Sequence, residues 1–181
     1  MLTKFNSFVG FKILNFFCLN PNTILNISEI SRKLVLSKAS SKYYCDFFLK
    51  EKIFLVDLIS NQKRFRLNNE SIYVKELKKT ISLLWFKEIG LEKIVSNANS
   101  FAIYGSFASG EFDEKSDLDL LVIGTKENID FRLLSIFEKT INRPIQLTIY
   151  NWVEWRKMSL EKNVFVDAVL KRSILVKGNN L

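Results

Sequence analysis

The chain contains no histidine in 181 residues. That absence excludes imidazole acid–base chemistry, Ser-His-Asp triads and the usual zinc sites, so any catalysis must rest on carboxylates, hydroxyls, lysines or a bound hard cation. Glycine and proline are scarce, at six and two, against sixteen phenylalanines, a balance that argues against a disordered chain. The two cysteines, Cys18 and Cys45, fall inside helical apolar patterns and are expected as buried free thiols in a reducing compartment. No run approaches the roughly 18 uncharged apolar residues of a membrane span. The N-terminal "MLTKFNSFVGFKILNFFCLNP" is apolar, but Lys12 and Asn15 interrupt it and no small-residue cleavage site follows. It reads as an amphipathic helix rather than a signal peptide, which suits a cytoplasmic protein without a membrane partner.

What is present is an ordinary globular composition, 48% hydrophobic and 25% charged, with enough apolar mass for a core. Its charge is unevenly spread. Residues 1–75 hold twelve Lys/Arg against five Asp/Glu, and residues 76–181 hold fifteen against fourteen, which together give the net +8. The basic excess lies in the first part and points to a polyanionic partner there, or to nothing more than a solvated basic surface.

Residues 1–70 read as three helices and a hairpin. Phe8, Phe11, Leu14 and Cys18 recur at helical spacing until Asn20-Pro21-Asn22 stops the helix. Ser28 is the expected N-cap of the second helix, with Ile30 and Leu34 on its inner face. In "KASSKYYCDFFLKEKI", Ser41, Cys45 and Phe48 form an inward stripe, which leaves Lys38, Ser40, Lys42 and Tyr43 facing out. "FLVDLI" and "KRFRLN" are two strands turning at Ser60-Asn61-Gln62. Residues 71–97 read as a helical connector on which Leu77, Ile81 and Leu84 share a face. Gly90 is its natural stop, "KELKK" from Lys75 to Lys79 its solvated side, and Trp85 and Phe86 are candidates to pack the two halves.

This arrangement of "ISEISRKLVLSKASSKYYCDFFLKEKIF" and a basic hairpin resembles a winged helix-turn-helix domain. The resemblance implies contact with double-stranded DNA. Lys38, Ser40, Lys42 and Tyr43 would meet base edges and backbone, and Lys63 and Arg64 on the wing would meet phosphates. A winged helix used only for docking or dimerisation is the alternative, and a homodimer stays open.

Residues 98–181 alternate strand and helix, the pattern of a small mixed sheet covered by helices. "FAIYG", "LDLLVIG" and "PIQLTIY" read as strands, "IDFRLLSIFEKTI" and "VFVDAVLKR" as helices, and "SILVKG" as a last, edge strand. Trp152 and Trp155 are expected to pack on the sheet. In "YGSFASGEFDEKSDLDLLVIG", Asp117 and Asp119 lie two apart and project from one face of a strand. Neighbouring carboxylates repel unless a cation neutralises them, and a hard divalent ion prefers such oxygens. Gly105-Ser106, directly after the preceding strand, offers a turn where phosphate can approach backbone and a hydroxyl.

The stretch closely resembles the signature of the polymerase-β-like nucleotidyltransferase superfamily in its minimal form, through Gly105, Ser106, Gly110, Ser116, Asp117, Asp119 and Leu120. The resemblance implies an α+β chain in which a winged helix precedes a small mixed α/β nucleotidyltransferase fold, a fusion similar to a group of small archaeal proteins. It further implies transfer of a nucleoside monophosphate from an NTP, with ATP as the first expectation. Gly105, Ser106, Gly110 and Ser116 would bind the nucleotide, and Asp117 and Asp119 would be the catalytic acids that hold two Mg²⁺ or Mn²⁺ ions. The acceptor would be a hydroxyl on a protein or nucleic acid, and antitoxin-like members pair with a helical toxin of the HEPN class. One departure matters: Gln146 stands where a third carboxylate is expected, and glutamine cannot take a proton. Glu111, Asp113 or Glu114 are the candidate substitutes, and the alternative reading is a domain that binds nucleotide, or only a partner, without efficient turnover, in a DNA-binding transcriptional regulator or antitoxin-like partner protein.

Overall fold

The computed structural model describes residues 2–181. It divides into two compact units, the first running to Trp85 and the second from Phe86 to Leu181. The division falls inside one continuous helix rather than at a linker.

In the first unit, α1 (Leu2–Phe5) and α2 (Val9–Leu19) are separate helices. The single N-terminal helix expected from the apolar spacing is therefore interrupted. Phe8 is the exposed residue before α2 rather than part of its inward stripe, and the buried positions are Gly10, Ile13, Phe17 and Cys18. Gly10 is required by packing: a Cβ there would stand 2.6 Å from the Tyr44 ring. Helix α3 (Ile27–Leu34) is capped by Asn26 rather than by Ser28. Asn26 Oδ1 accepts from the Glu29 N–H at 2.9 Å, and Glu29 Oε2 accepts from the Asn26 N–H at 2.8 Å, the reciprocal capping box.

Helix α4 (Lys38–Lys50) buries the expected stripe of Ser41, Cys45 and Phe48. Burial pushes both the Cys18 and Cys45 thiols up to about 12, so neither is a reactive thiolate. The hairpin of β1 (Phe54–Ile59) and β2 (Gln62–Leu67) turns through Ser60 and Asn61, both with left-handed backbone. Leu25, between α2 and α3, bridges Phe65 of β2 through two backbone hydrogen bonds and so ties the helices to the hairpin. Phe17, Phe48 and Phe54 meet at the centre, with ring centroids 4.6 and 5.2 Å from Phe54. Helix α5 (Ile72–Glu88) adds Val74, Leu77 and Ile81 to this core. Lys78, expected on a solvated face, is instead buried, with its ammonium 3.5 Å from Asn69 Oδ1.

The second unit is built on a four-stranded mixed sheet of order β5-β4-β3-β6, formed by β3 (Ser100–Tyr104), β4 (Leu118–Ile123), β5 (Ile145–Tyr150) and β6 (Ile174–Gly178). β4 runs parallel to β5 and antiparallel to β3, and β6 is an edge strand as its sequence implies. Helix α6 (Gly105–Ser109) leaves β3 directly, and α7 (Phe131–Ile141) is capped by Asp130. Helices α8 (Trp152–Leu160) and α9 (Val164–Lys171) place Trp155, Val166 and Val169 on the sheet face of Leu121 and Ile123. Trp155 is buried, but Trp152 is 44% exposed and does not pack as expected. Among the described residues no helix is long and apolar enough to cross a membrane.

Candidate functional site

The antiparallel register of β3 and β4 sets Tyr104 opposite Asp119. The parallel register of β4 and β5 sets Gln146 on the other side of Asp119. Because side chains alternate along a strand, Tyr104, Asp119, Gln146 and Thr148 share one face with Leu121 and Ile123. The apolar half of that face lies under α8 and α9. The polar half lies beyond them, with Gly105 and Gln146 exposed and both aspartates half-buried.

Asp117 immediately precedes β4. Gln146 Nε2 donates to its Oδ2 at 2.9 Å, so the glutamine touches one acid and is the cross-strand neighbour of the other. Burial holds the Asp119 carboxyl above its ordinary range, and the neighbouring Asp117 charge adds to the effect. The Tyr104 hydroxyl lies 2.9 Å from Thr148 Oγ1, and burial raises its pKa in the same direction as the charge on Asp119.

The turn after β3 is shaped by these acids. Gly105 has φ of 67°, and a Cβ on it would fall 2.1 Å from Asp119 Oδ2. Glycine is required here by the Asp119 carboxylate as well as by the backbone. Ser106 follows in the first turn of α6, and Gly110, with φ of 76°, ends it as a left-handed cap. Ser116 sits in the loop that leads to Asp117. Its hydroxyl accepts from the Asp113 N–H at 2.9 Å and donates to Asp113 Oδ1 at 3.1 Å, which shapes the loop.

Arg143 holds that same loop. Its guanidinium donates to the Asp113 carbonyl and, at 3.2 Å, to the Ser116 carbonyl. It also lies 5.4 Å from the centroid of Phe107 and 5.9 Å from that of Phe112. Those rings stack at 4.1 Å and 8°. Burial lowers the Arg143 pKa, while Glu114 and Asp113 act in the opposite direction.

Asp117 and Asp119 supply oxygen ligands, but among the described residues no group of three His, Cys, Asp or Glu side chains converges. Glu111, Asp113 and Glu114 therefore do not complete the pair.

In the first unit the six residues singled out for nucleic acid divide into two groups. Lys38, Tyr43 and Lys63 face solvent, Tyr43 with 67% of its surface exposed. Ser40 is engaged by the Ser37 hydroxyl at 2.9 Å, Lys42 by Asp46 at 2.6 Å and Arg64 by Glu29 at 3.2 Å. Arg66, on the same hairpin, pairs with Asp57 at 2.9 Å.

Residues 90–179 match the family described as "Polymerase beta, Nucleotidyltransferase". No curated protein matches the chain. A solved structure described as "Crystal structure of the toxin-antitoxin with AMP-PNP" is 16% identical over 62% of this chain and 75% of its own, with a TM-score of 0.36.

Proposed function

We propose that this nucleotidyltransferase domain binds a nucleoside triphosphate with one divalent cation, Mg²⁺ or Mn²⁺, and transfers nucleoside monophosphate to a hydroxyl at a low rate. The observation that supports it is the convergence of Asp117 and Asp119 beside the Gly105-Ser106 turn, with Gln146 in place of a third acid. The cation would be held by Asp117 and Asp119 and would neutralise charge on the triphosphate. Gly105 leaves room for the Asp119 carboxylate beside the turn, and Ser106 offers a hydroxyl to phosphate oxygens. ATP is the first triphosphate to test, and the acceptor is a protein or nucleic-acid hydroxyl. Without a third carboxylate to take the acceptor proton, turnover is expected to fall by about 10²- to 10⁴-fold from that of a complete site.

Thermal stability tests the binding step. With MgATP at a hundred times its dissociation constant, linkage stabilises the native state by about 2.7 kcal/mol, a clear upward shift in melting temperature. Asp119→Asn is expected to lose the shift. An equal shift in wild type and variant overturns the assignment.

We further propose that the first unit, read as a winged helix, contacts duplex DNA through Lys38 and Tyr43 on α4 and Lys63 on the hairpin. The net +7 carried by residues 1–75 supports this. Lys63→Ala is expected to reduce the slope of log affinity against log salt by about one. Fluorescence anisotropy with a labelled duplex at several salt concentrations measures it. An unchanged slope for both Lys38→Ala and Lys63→Ala removes the DNA reading and leaves a docking module.

A further inference from the structure

The contact between Gln146 and Asp117 has a definite polarity. An ionised carboxylate only accepts hydrogen bonds, so the end of the glutamine that lies 2.9 Å from Asp117 Oδ2 must be the amide NH₂. The carbonyl end is the one that can ligate a cation, and it is turned away from that oxygen. The amide dipole thus presents its positive end to Asp117, on the strand next to Asp119.

We propose that Gln146 is a positioning residue that competes with the cation: its N–H occupies a lone pair of Asp117 and holds the carboxylate in the cation-free state. The inference rests on the assignment of Asp117 and Asp119 to a divalent cation. Two alternatives predict different behaviour. A glutamine that ligates through its carbonyl strengthens cation binding, and an inert one leaves it unchanged. A competing amide weakens binding, because the ion must displace a hydrogen bond to a charged group before it can use Asp117 fully. The two acids are then unequal partners. Asp117 accepts the amide N–H, whereas Asp119 meets Gln146 only as its cross-strand neighbour.

Mn²⁺ binding to the full chain without nucleotide, followed by calorimetry and by the electron paramagnetic resonance signal of free Mn²⁺, decides between them. Gln146→Ala and the similarly long Gln146→Met both remove the donor at an exposed position. Each is expected to tighten Mn²⁺ binding by roughly ten-fold. Gln146→Glu, which supplies a third carboxylate, is expected to tighten it further. Tightening is a change that mere loosening of the site does not produce. If Gln146→Ala and Gln146→Met bind Mn²⁺ as wild type does, or more weakly, the competition is overturned while the two-acid site stands. If wild type and all three variants fail to bind Mn²⁺, the cation assignment of Asp117 and Asp119 falls, and this inference with it.

Discussion

Gly105→Ala is expected to destabilise the second unit by about 2–3 kcal/mol and to displace Asp119 from the site. Two effects add. A residue with a Cβ held at φ of 67° in the left-handed region carries a penalty of roughly 1–2 kcal/mol. The new methyl would also stand 2.1 Å from Asp119 Oδ2 and 3.0 Å from its Cγ, so the carboxylate must rotate. Leaving a preferred rotamer adds about 0.5–1.5 kcal/mol. Asp119 cannot turn far, because Tyr104 and Gln146 flank it on the adjoining strands. Urea denaturation in two backgrounds separates the terms. In an Asp119→Ala chain the steric part disappears, and Gly105→Ala is expected to cost only about 1–2 kcal/mol, the backbone part. Equal losses in both backgrounds would show that the glycine answers to the backbone alone. MgATP stabilisation is expected to vanish in Gly105→Ala even where the fold survives, since the acid proposed to hold the cation has moved.

The closeness of Asp117 and Asp119 was legible because a two-residue spacing at the start of an apolar strand fixes a common face whatever the rest of the fold does. β3, β4 and β5 were legible because they are continuous apolar or alternating runs between turn residues. Helix α8 was not: Trp155 is its sole buried residue among the described residues, so Trp152–Leu160 shows no apolar period to find. The break between α1 and α2 was hidden by a phenylalanine-rich stretch whose hydrophobic spacing runs through the interruption. Asn26 as the N-cap was within reach, since the Asn26–Glu29 spacing is itself the capping-box signature. Pairing is the hardest to anticipate. Arg64 meets Glu29 from 35 positions away, and that neutralises a cation the sequence alone offers freely to phosphate. The direction of the Gln146 amide likewise depends on the parallel register of β4 and β5, which composition and spacing do not specify.

Arg143 makes another such long-range pairing. It joins two chain segments about thirty positions apart through backbone carbonyls, and these leave no trace in residue identity. Arg143→Ala is expected to destabilise the second unit by about 2–4 kcal/mol. Two part-buried carbonyls lose their partner, at roughly 1–3 kcal/mol for an unsatisfied group, and the stacked Phe107 and Phe112 rings lose a cation worth about 0.5–2 kcal/mol. Arg143→Lys distinguishes charge from geometry. A lysine keeps the positive charge near Asp113 and Glu114, but it lacks the planar fork that spans both carbonyls while lying on the rings. It is expected to recover less than half of the loss in urea denaturation. Full recovery would mean that charge alone acts there. Because the clamped residues 113–116 run directly into Asp117, Arg143→Ala is also expected to weaken the thermal shift with MgATP, although the guanidinium itself is committed to the loop. Loss of stability with unchanged nucleotide binding would show that Asp117 is held from β4 and Gln146 rather than from the loop.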